Sequence, residues 1–164
     1  MEKTQMRQEL VHLGNGAHAL AIQILGNSED AADAVHDAFA AVLEKPESWD
    51  HRRGPLKPWF LRVVRNRCID LVRRRRPAGS DVDELASPAA TPDEKLETGE
   101  RDRALQQALA AIKPEQRQIV VLRDYLDLSY AEIATVLDLA PGTVMSRLHR
   151  ARVALKDQLE KDHE

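Results

Sequence analysis

Residues 77–100 form a proline-rich, acidic stretch that interrupts a sequence otherwise made of helical patterns. The stretch contains Pro77, Pro88 and Pro92, and its seven acids face Lys95 alone, so its net charge is 1 − 7 = −6. Such a segment can bury little apolar surface, and we predict that most of it is a flexible linker. The rest of the chain is therefore expected to fold as two small domains, residues 1–76 and residues 101–164.

The composition favours helices in both domains. Hydrophobic residues make up 43% of the 164 positions, which suffices for two small cores as well as for one. Aromatic residues are only 4%, good helix formers dominate, and no convincing alternating strand pattern occurs. We predict an all-α fold of two small helical domains.

Apolar residues at helical spacing predict three helices in the first domain. The first stripe runs from Leu10 to Ile24, and glycines on both sides of Asn15 suggest a break there. Asn27 or Ser28 can cap the second helix. The second helix ends before a proline at position 46, a loop follows, and a proline at position 58 opens the third helix, which runs to about position 75.

The second domain contains a helix-turn-helix pattern between Leu128 and Leu155. Ser129 followed by Glu132 is a capping-box pattern, which predicts the start of a short helix. A tight turn at 138–141 then leads to a longer helix from about Thr143.

The start of that longer helix has the chemistry of a DNA-reading surface. Polar side chains that can reach base edges are followed by bases that can neutralise phosphates, and no acid occurs between Leu139 and Lys156. The candidate residues are Thr143, Ser146, Arg147, Arg150 and Arg152. The alternative is an ordinary helical hairpin with a solvated basic face. We favour DNA binding because the cap, the turn and the charge agree.

The helix from Pro58 to Arg76 is a second basic element. It carries seven arginines against Asp70, a local charge of 7 − 1 = +6, and aromatic residues lie near its start. This combination suits unstacked single-stranded nucleic acid. The candidate residues are Trp59, Arg62, Arg65, Asn66, Arg73 and Arg74. Judged from this helix alone, a purely structural role is an equally good explanation. Basic residues also stabilise a helix C-terminus, and Trp59 can simply pack in the hydrophobic core.

The second helix of the first domain has an acidic face. This face contains Asp30, Asp33, His36 and Asp37. Acids beside a histidine raise the idea of a metal site, but the same row fits a solvated face or a surface that docks another protein. We predict no metal, no cofactor and no catalytic residue, because no nucleophile–base set and no phosphate-binding glycine loop occurs.

A reducing cytoplasm is the simplest location for this chain. Its single cysteine, Cys68, cannot form an internal disulfide and lies on an apolar stripe, where it is expected to pack rather than react. The first 25 residues lack a signal-peptide pattern, and no apolar run approaches the roughly 18 residues that span a bilayer. We therefore expect no membrane insertion.

Taken together, three segments resemble the extracytoplasmic-function (ECF) group of the sigma-70 family. SEDAADAVHDAFAAVLE is similar to region 2.2, and PWFLRVVRNRCIDLVRRRR to the end of region 2.3 and region 2.4. IKPEQRQIVVLRDYLDLSYAEIATVLDLAPGTVMSRLHRARVAL is similar to region 4. These segments, in this order and separated by an acidic linker, are much more specific than any one of them.

The resemblance implies an alternative sigma factor that binds core RNA polymerase and promoter DNA. The acidic helix would dock on a coiled coil of the largest polymerase subunit, through Asp30, Asp33, His36, Asp37 and Phe39. The loop at 47–57 and the helix from Trp59 to Arg76 would capture and open the −10 element. The helix from Thr143 would read the −35 element. An anti-sigma factor is a family-level expectation for a partner.

Three positions depart from the family pattern. His36 stands where glutamine is usual, so polymerase docking is open to pH dependence. Asp138 stands where a turn glycine is common, but aspartate tolerates left-handed backbone, so the turn can survive. Met145 replaces a frequent lysine and removes one phosphate contact.

Two other classes of protein remain as alternatives. A conventional helix-turn-helix regulator would explain the second domain, but it needs no acidic helix followed by a basic aromatic one. A catalytic helical protein would use His36 and its neighbouring acids, and a tightly bound metal ion would be its main support. The sequence leaves open whether the free domains lie apart or pack together with their DNA-binding faces hidden.

Overall fold

The computed structural model describes residues 2–75 and 99–161, and within these ranges every regular element is helical. The first domain contains α1 (Lys3–Leu25), α2 (Ser28–Glu44) and α3 (Leu56–Arg75), with two 3₁₀ turns between α2 and α3 (Pro46–Ser48 and His51–Arg53). The second contains α4 (Glu100–Ala111), α5 (Pro114–Val120), a π-helical turn (Val121–Tyr125), α6 (Tyr130–Leu137) and α7 (Pro141–Lys161). The all-α prediction is confirmed. Most of the predicted linker, 77–98, lies outside the described residues.

Helix α1 is continuous, so the predicted break near Asn15 is wrong. A glycine inside a helix costs only about 1 kcal/mol relative to alanine, and burial of side chains such as Leu10, Ala17 and Leu20 outweighs that cost. The helix ends at Gly26, which has the left-handed conformation (φ 73°) common in helix C-caps.

The other two helices of the first domain are fixed by a cap and by aromatic packing. The side chain of Asn27 accepts a hydrogen bond from the Asp30 amide (3.0 Å) and so caps α2. Phe39 of α2 stacks on the fully buried Phe60 of α3, with 5.1 Å between ring centroids. α2 and α3 therefore keep a fixed relative position, which orders the acidic face against the basic helix.

The helix-turn-helix of the second domain forms as its sequence predicts. Ser129 and Glu132 make the reciprocal capping box at the start of α6. Asp138 ends α6 in the left-handed conformation (φ 55°), so the expectation that aspartate preserves this turn is confirmed. The last helix begins at Pro141, two residues before the predicted start. Val144 and Leu148 of this helix are buried in the core of the motif.

The two domains pack against each other. Helix α3 lies on α6, and α1 lies on α5 and on the π-helical turn. One cluster of buried apolar side chains runs through both domains. Of the two arrangements that the sequence allows, the structure therefore has the one in which the domains pack together, which we call the closed arrangement.

Candidate nucleic-acid and protein-docking surfaces

The first turns of α7 present the predicted DNA-reading residues together on one stretch of helix. Ser146, Arg147 and Arg150 are exposed, and Thr143 is half-buried. The Ser146 hydroxyl donates to the Thr143 carbonyl at 3.1 Å, which fixes the direction of the hydroxyl group. Within residues 2–75 and 99–161, Arg147 and Arg150 form no ion pair, so both guanidinium groups are available to an anion.

Arg152 differs from the other predicted DNA-binding arginines. Its Nε and Nη2 atoms donate to the two carboxylate oxygens of Asp124, at 3.1 and 2.5 Å. The hydrogen bond to Asp124 raises the pKa of Arg152. This bidentate pair directs the guanidinium toward the π-helical turn.

Helix α3 presents its predicted nucleic-acid residues in two groups. Asn66, Arg73 and Arg74 are exposed to solvent. Trp59, Arg62 and Arg65 are half-buried because this part of α3 faces the second domain. The structure therefore leaves one end of the basic surface open and covers the other.

The covered residues of α3 contact the helix-turn-helix domain directly. An Arg62 nitrogen lies 3.8 Å from an Asp138 carboxylate oxygen, and Arg65 Nε donates to Gln118 Oε1 at 2.8 Å. Burial lowers the pKa of Arg65, and the charge of Asp138 partly opposes that shift. Arg65 also lines a cleft of about 320 Å³ with Arg147 and Arg150. Residues assigned to two different promoter elements are thus neighbours here.

A second cleft, of about 640 Å³, lies between the loop that follows α2, the start of α3 and helix α6 of the second domain. Trp49, Trp59 and Arg62 form part of its wall on the first domain. The indole Nε1 of Trp49 is buried and finds no acceptor among the described residues. Trp49 lies in the loop at 47–57 that the resemblance assigns to the −10 element, but it was not named among the predicted site residues. The available signal in the sequence was an aromatic residue in the loop next to a basic aromatic helix. A buried indole N–H usually has a hydrogen-bond partner, so its lack of one is unusual.

The predicted docking residues of α2 form one exposed face with a partly buried end. Asp33, His36 and Asp37 are exposed, whereas Phe39 belongs partly to the core. Two of the acids pair with α3. These pairs are Arg67 Nη2 with Asp37 Oδ2 at 3.4 Å and Arg75 Nη1 with Asp30 Oδ2 at 2.8 Å. The predicted protein-docking and nucleic-acid surfaces therefore share an edge.

Other chemistry finds little support in the part of the chain that is described. No group of three His, Cys, Asp or Glu side chains there could hold a metal ion. Cys68 is fully buried, and burial raises the pKa of its thiol to about 12, so it has little nucleophilic thiolate. Of the helices in residues 2–75 and 99–161, none is both long and apolar enough to cross a bilayer.

Two family models match this chain. Sigma-70 region 2 matches residues 11–78, and Sigma-70, region 4 matches residues 102–155. Among curated relatives, the ECF RNA polymerase sigma factor SigL of Mycobacterium tuberculosis is 34% identical, over 86% of this chain and 81% of its own length. SigE of Mycolicibacterium smegmatis is also 34% identical over 88% of this chain, which spans 57% of that relative. SigW of Bacillus subtilis is 28% identical, over 87% and 82% of the two chains.

Solved structures of similar fold cover nearly the whole chain. The sigma factor RpoE of Bartonella quintana, in complex with the anti-sigma factor NepR, has a TM-score of 0.77 and 25% identity, over 95% of this chain and 97% of that one. CnrH, in complex with the cytosolic domain of CnrY, has a TM-score of 0.67 and 24% identity, over 94% and 87%.

Proposed function

Because this chain belongs to the ECF group of the sigma-70 family, we propose that it binds core RNA polymerase, directs it to promoters with specific −10 and −35 elements, and helps to open the DNA. The observation that carries this proposal is the combination of three surfaces in one chain. They are the acidic face of α2, the basic aromatic surface of α3 and the exposed arginines of α7.

Reading of the −35 element is assigned to the helix-turn-helix. An α-helix fits the major groove, and residues near its start reach base edges while arginines contact phosphates. Thr143, Ser146, Arg147 and Arg150 lie in the first three turns of α7, which suits that geometry. Arg152 would join them only after releasing Asp124.

Opening of the −10 element is assigned to α3 and the loop before it. Flipping a base out of the stack costs a few kcal/mol, so a pocket that holds the flipped base can trap a strand separated by thermal fluctuation. The cleft beside Trp59 supplies aromatic surface and a guanidinium from Arg62. This activity requires no nucleotide hydrolysis and no catalytic residue of the chain.

Docking on polymerase is assigned to the acidic face of α2. Exposed carboxylates suit a basic partner surface, and the half-buried Phe39 adds an apolar contact. We also propose that the chain works in the cytoplasm with polymerase and that an anti-sigma factor restrains it. The complex of RpoE with the anti-sigma factor NepR supports that last assignment.

A conventional helix-turn-helix regulator is the competing function, and no feature of the first domain favours it. The direct test is run-off transcription with purified core polymerase on promoter fragments from the source genome. We expect specific transcripts only when this protein is added, and their loss with Arg147→Ala/Arg150→Ala. The proposal would be wrong if the folded protein neither bound core polymerase nor produced a transcript.

A further inference from the structure

The cleft of about 320 Å³ that Arg65 shares with Arg147 and Arg150 has a wall rich in positive charge. Lys113, at the N-cap of α5, is the fourth base among the described residues of this wall, and Glu115 is the acid, so the formal charge is 4 − 1 = +3. Glu115 is exposed, so water screens its charge. Within residues 2–75 and 99–161, none of the four bases forms an ion pair. Burial lowers the pKa of Arg65, and an anion in the cleft would stabilise its charged form.

Two glutamines of α5 add hydrogen-bond donors to the same wall. Gln118 is 4% exposed, and its Oε1 accepts from Arg65 Nε at 2.8 Å, which leaves its amide Nε2 as a donor. Among the described residues, that Nε2 has no hydrogen-bond partner. Gln116 repeats the pattern, because its Oε1 accepts from the backbone amide of Lys113 at 3.2 Å. The cleft therefore offers many more donors than acceptors, and it suits a ligand that is rich in acceptor oxygens.

A polyphosphate matches this combination of charge, donors and size. Each phosphate group presents several acceptor oxygens and negative charge, and arginine can bind two such oxygens at once. The volume of the cleft is near the lower end of the roughly 300–1,000 Å³ that small-molecule sites occupy. The wall also contains the apolar side chains of Ile119, Leu137 and Leu139, which offer a surface to a nucleoside attached to the phosphates.

Contacts elsewhere between the domains hold the walls of the cleft in place. Arg117 of α5 is 1% exposed, and its Nε donates to the Gln23 carbonyl of α1 at 2.9 Å. A Cβ atom at Gly16, in the middle of α1, would lie 3.1 Å from Leu126 Cδ2 of the second domain. Such close packing leaves the walls little freedom to shift. A ligand would therefore find the donors already in position, which lowers the entropy cost of binding.

We propose that this cleft binds a small polyphosphate, either inorganic or carried by a nucleoside, whose oxygens contact Arg65, Lys113 and Gln118. Arg147 and Arg150 hold the same anion from α7. Because these two arginines are also assigned to the −35 element, the bound anion competes with promoter DNA for them. That competition rests on the proposed function, whereas binding of the anion to the free chain does not.

Isothermal titration calorimetry of the full chain tests the site. Inorganic triphosphate and ATP are titrated separately, without divalent cations and at about 0.15 M salt, which screens diffuse attraction between charges. We expect one saturable site per chain for each probe. Tighter binding of ATP would show that the nucleoside uses the apolar wall, and equal binding would show that the phosphate chain alone is recognised. Both results support the site, whereas absence of saturable binding at millimolar concentrations of both probes overturns it.

Two variants and a matched control locate the binding site. Lys113 is exposed, so Lys113→Gln should keep the fold and weaken binding by about tenfold through loss of one charged hydrogen bond. Gln118→Glu keeps an acceptor for Arg65 but places a carboxylate in the wall, so it should weaken binding further. Lys156→Gln removes the same charge from α7 outside the cleft and should leave the affinity unchanged.

Equal effects of Lys113→Gln and Lys156→Gln would show that the anion senses only overall charge, and this result overturns the proposal. An unchanged affinity in folded Lys113→Gln does so as well. The titrations contain neither polymerase nor DNA. Failure of the polyphosphate site and failure of the proposed function in run-off transcription are therefore distinguishable.

Discussion

The arginines of α7 differ in whether their guanidinium groups pair with an acid, and this difference predicts their contributions to promoter binding. Arg147 and Arg150 are exposed, whereas Arg152 forms a bidentate pair with Asp124. Loss of a guanidinium that contacts DNA costs about 1–3 kcal/mol. We expect Arg147→Ala and Arg150→Ala each to weaken binding of the holoenzyme to a −35 fragment by roughly tenfold or more, and Arg152→Ala to weaken it less.

Binding is measured by fluorescence anisotropy at fixed salt, since phosphate contacts depend on ionic strength. Arg152→Ala serves as the matched control, because it removes the same charge from the same helix. An equal loss of affinity in all three variants would show that the pair with Asp124 does not set Arg152 apart.

At the same scale, the sequence predicted residues whose roles depend on near neighbours and missed those that depend on distant ones. The Ser129–Glu132 capping box and the left-handed Asp138 follow from a few adjacent residues, and both are present. Arg117 bonds to a carbonyl 94 positions earlier in the chain, so no local pattern could predict its burial. The proposed DNA-binding and docking residues stay predictions, because the structure places them without testing their partners.

Among the structural elements, the turn between α6 and α7 is the one where a single substitution is expected to raise the stability of the protein. Asp138 has φ 55°, and a left-handed residue other than glycine costs roughly 1–2 kcal/mol, less for aspartate than for most residues. Asp138→Gly should therefore raise the free energy of unfolding by up to about 1 kcal/mol, whereas Asp138→Val should lower it by more than that. The ion pair lost with Arg62 is exposed and contributes little.

Urea denaturation of the three proteins measures this difference. A lower stability of Asp138→Gly than of the wild type would mean that the contact with Arg62 outweighs the backbone strain.

Helix α1 shows where prediction from neighbouring residues alone fails. Two glycines predicted a break in it, but packing against both domains keeps it continuous over 23 residues. The π-helical turn (Val121–Tyr125) was likewise not predicted, because its sequence fits an ordinary helix.

At the scale of the whole molecule, residues at the edge shared by α2 and α3 can be changed to test polymerase docking without unfolding the protein. Asp37 is exposed and pairs with Arg67 at 3.4 Å, a surface ion pair expected to contribute at most about 1 kcal/mol to stability. Asp37→Arg should therefore leave the fold intact but weaken binding to core polymerase by at least about tenfold, because it places a positive charge against a basic partner surface.

The double variant Asp37→Arg/Arg67→Asp is the matched control for that experiment. It restores an ion pair of reversed polarity within the chain, so its stability should equal that of the wild type. Polymerase binding should remain weak if Asp37 itself faces the partner. Recovery of core binding in a pull-down with the double variant would instead assign Asp37 a purely structural role.

The contact between Gly16 and Leu126 also constrains how such a chain can evolve. A larger residue at position 16 would strengthen α1 locally by about 1 kcal/mol, yet it would collide with the leucine of the other domain. Among relatives that keep the closed arrangement, positions 16 and 126 should therefore vary together, a gain in side-chain volume at one being matched by a loss at the other. A lineage that no longer uses this arrangement would be released from that constraint, and alanine should replace the glycine there first.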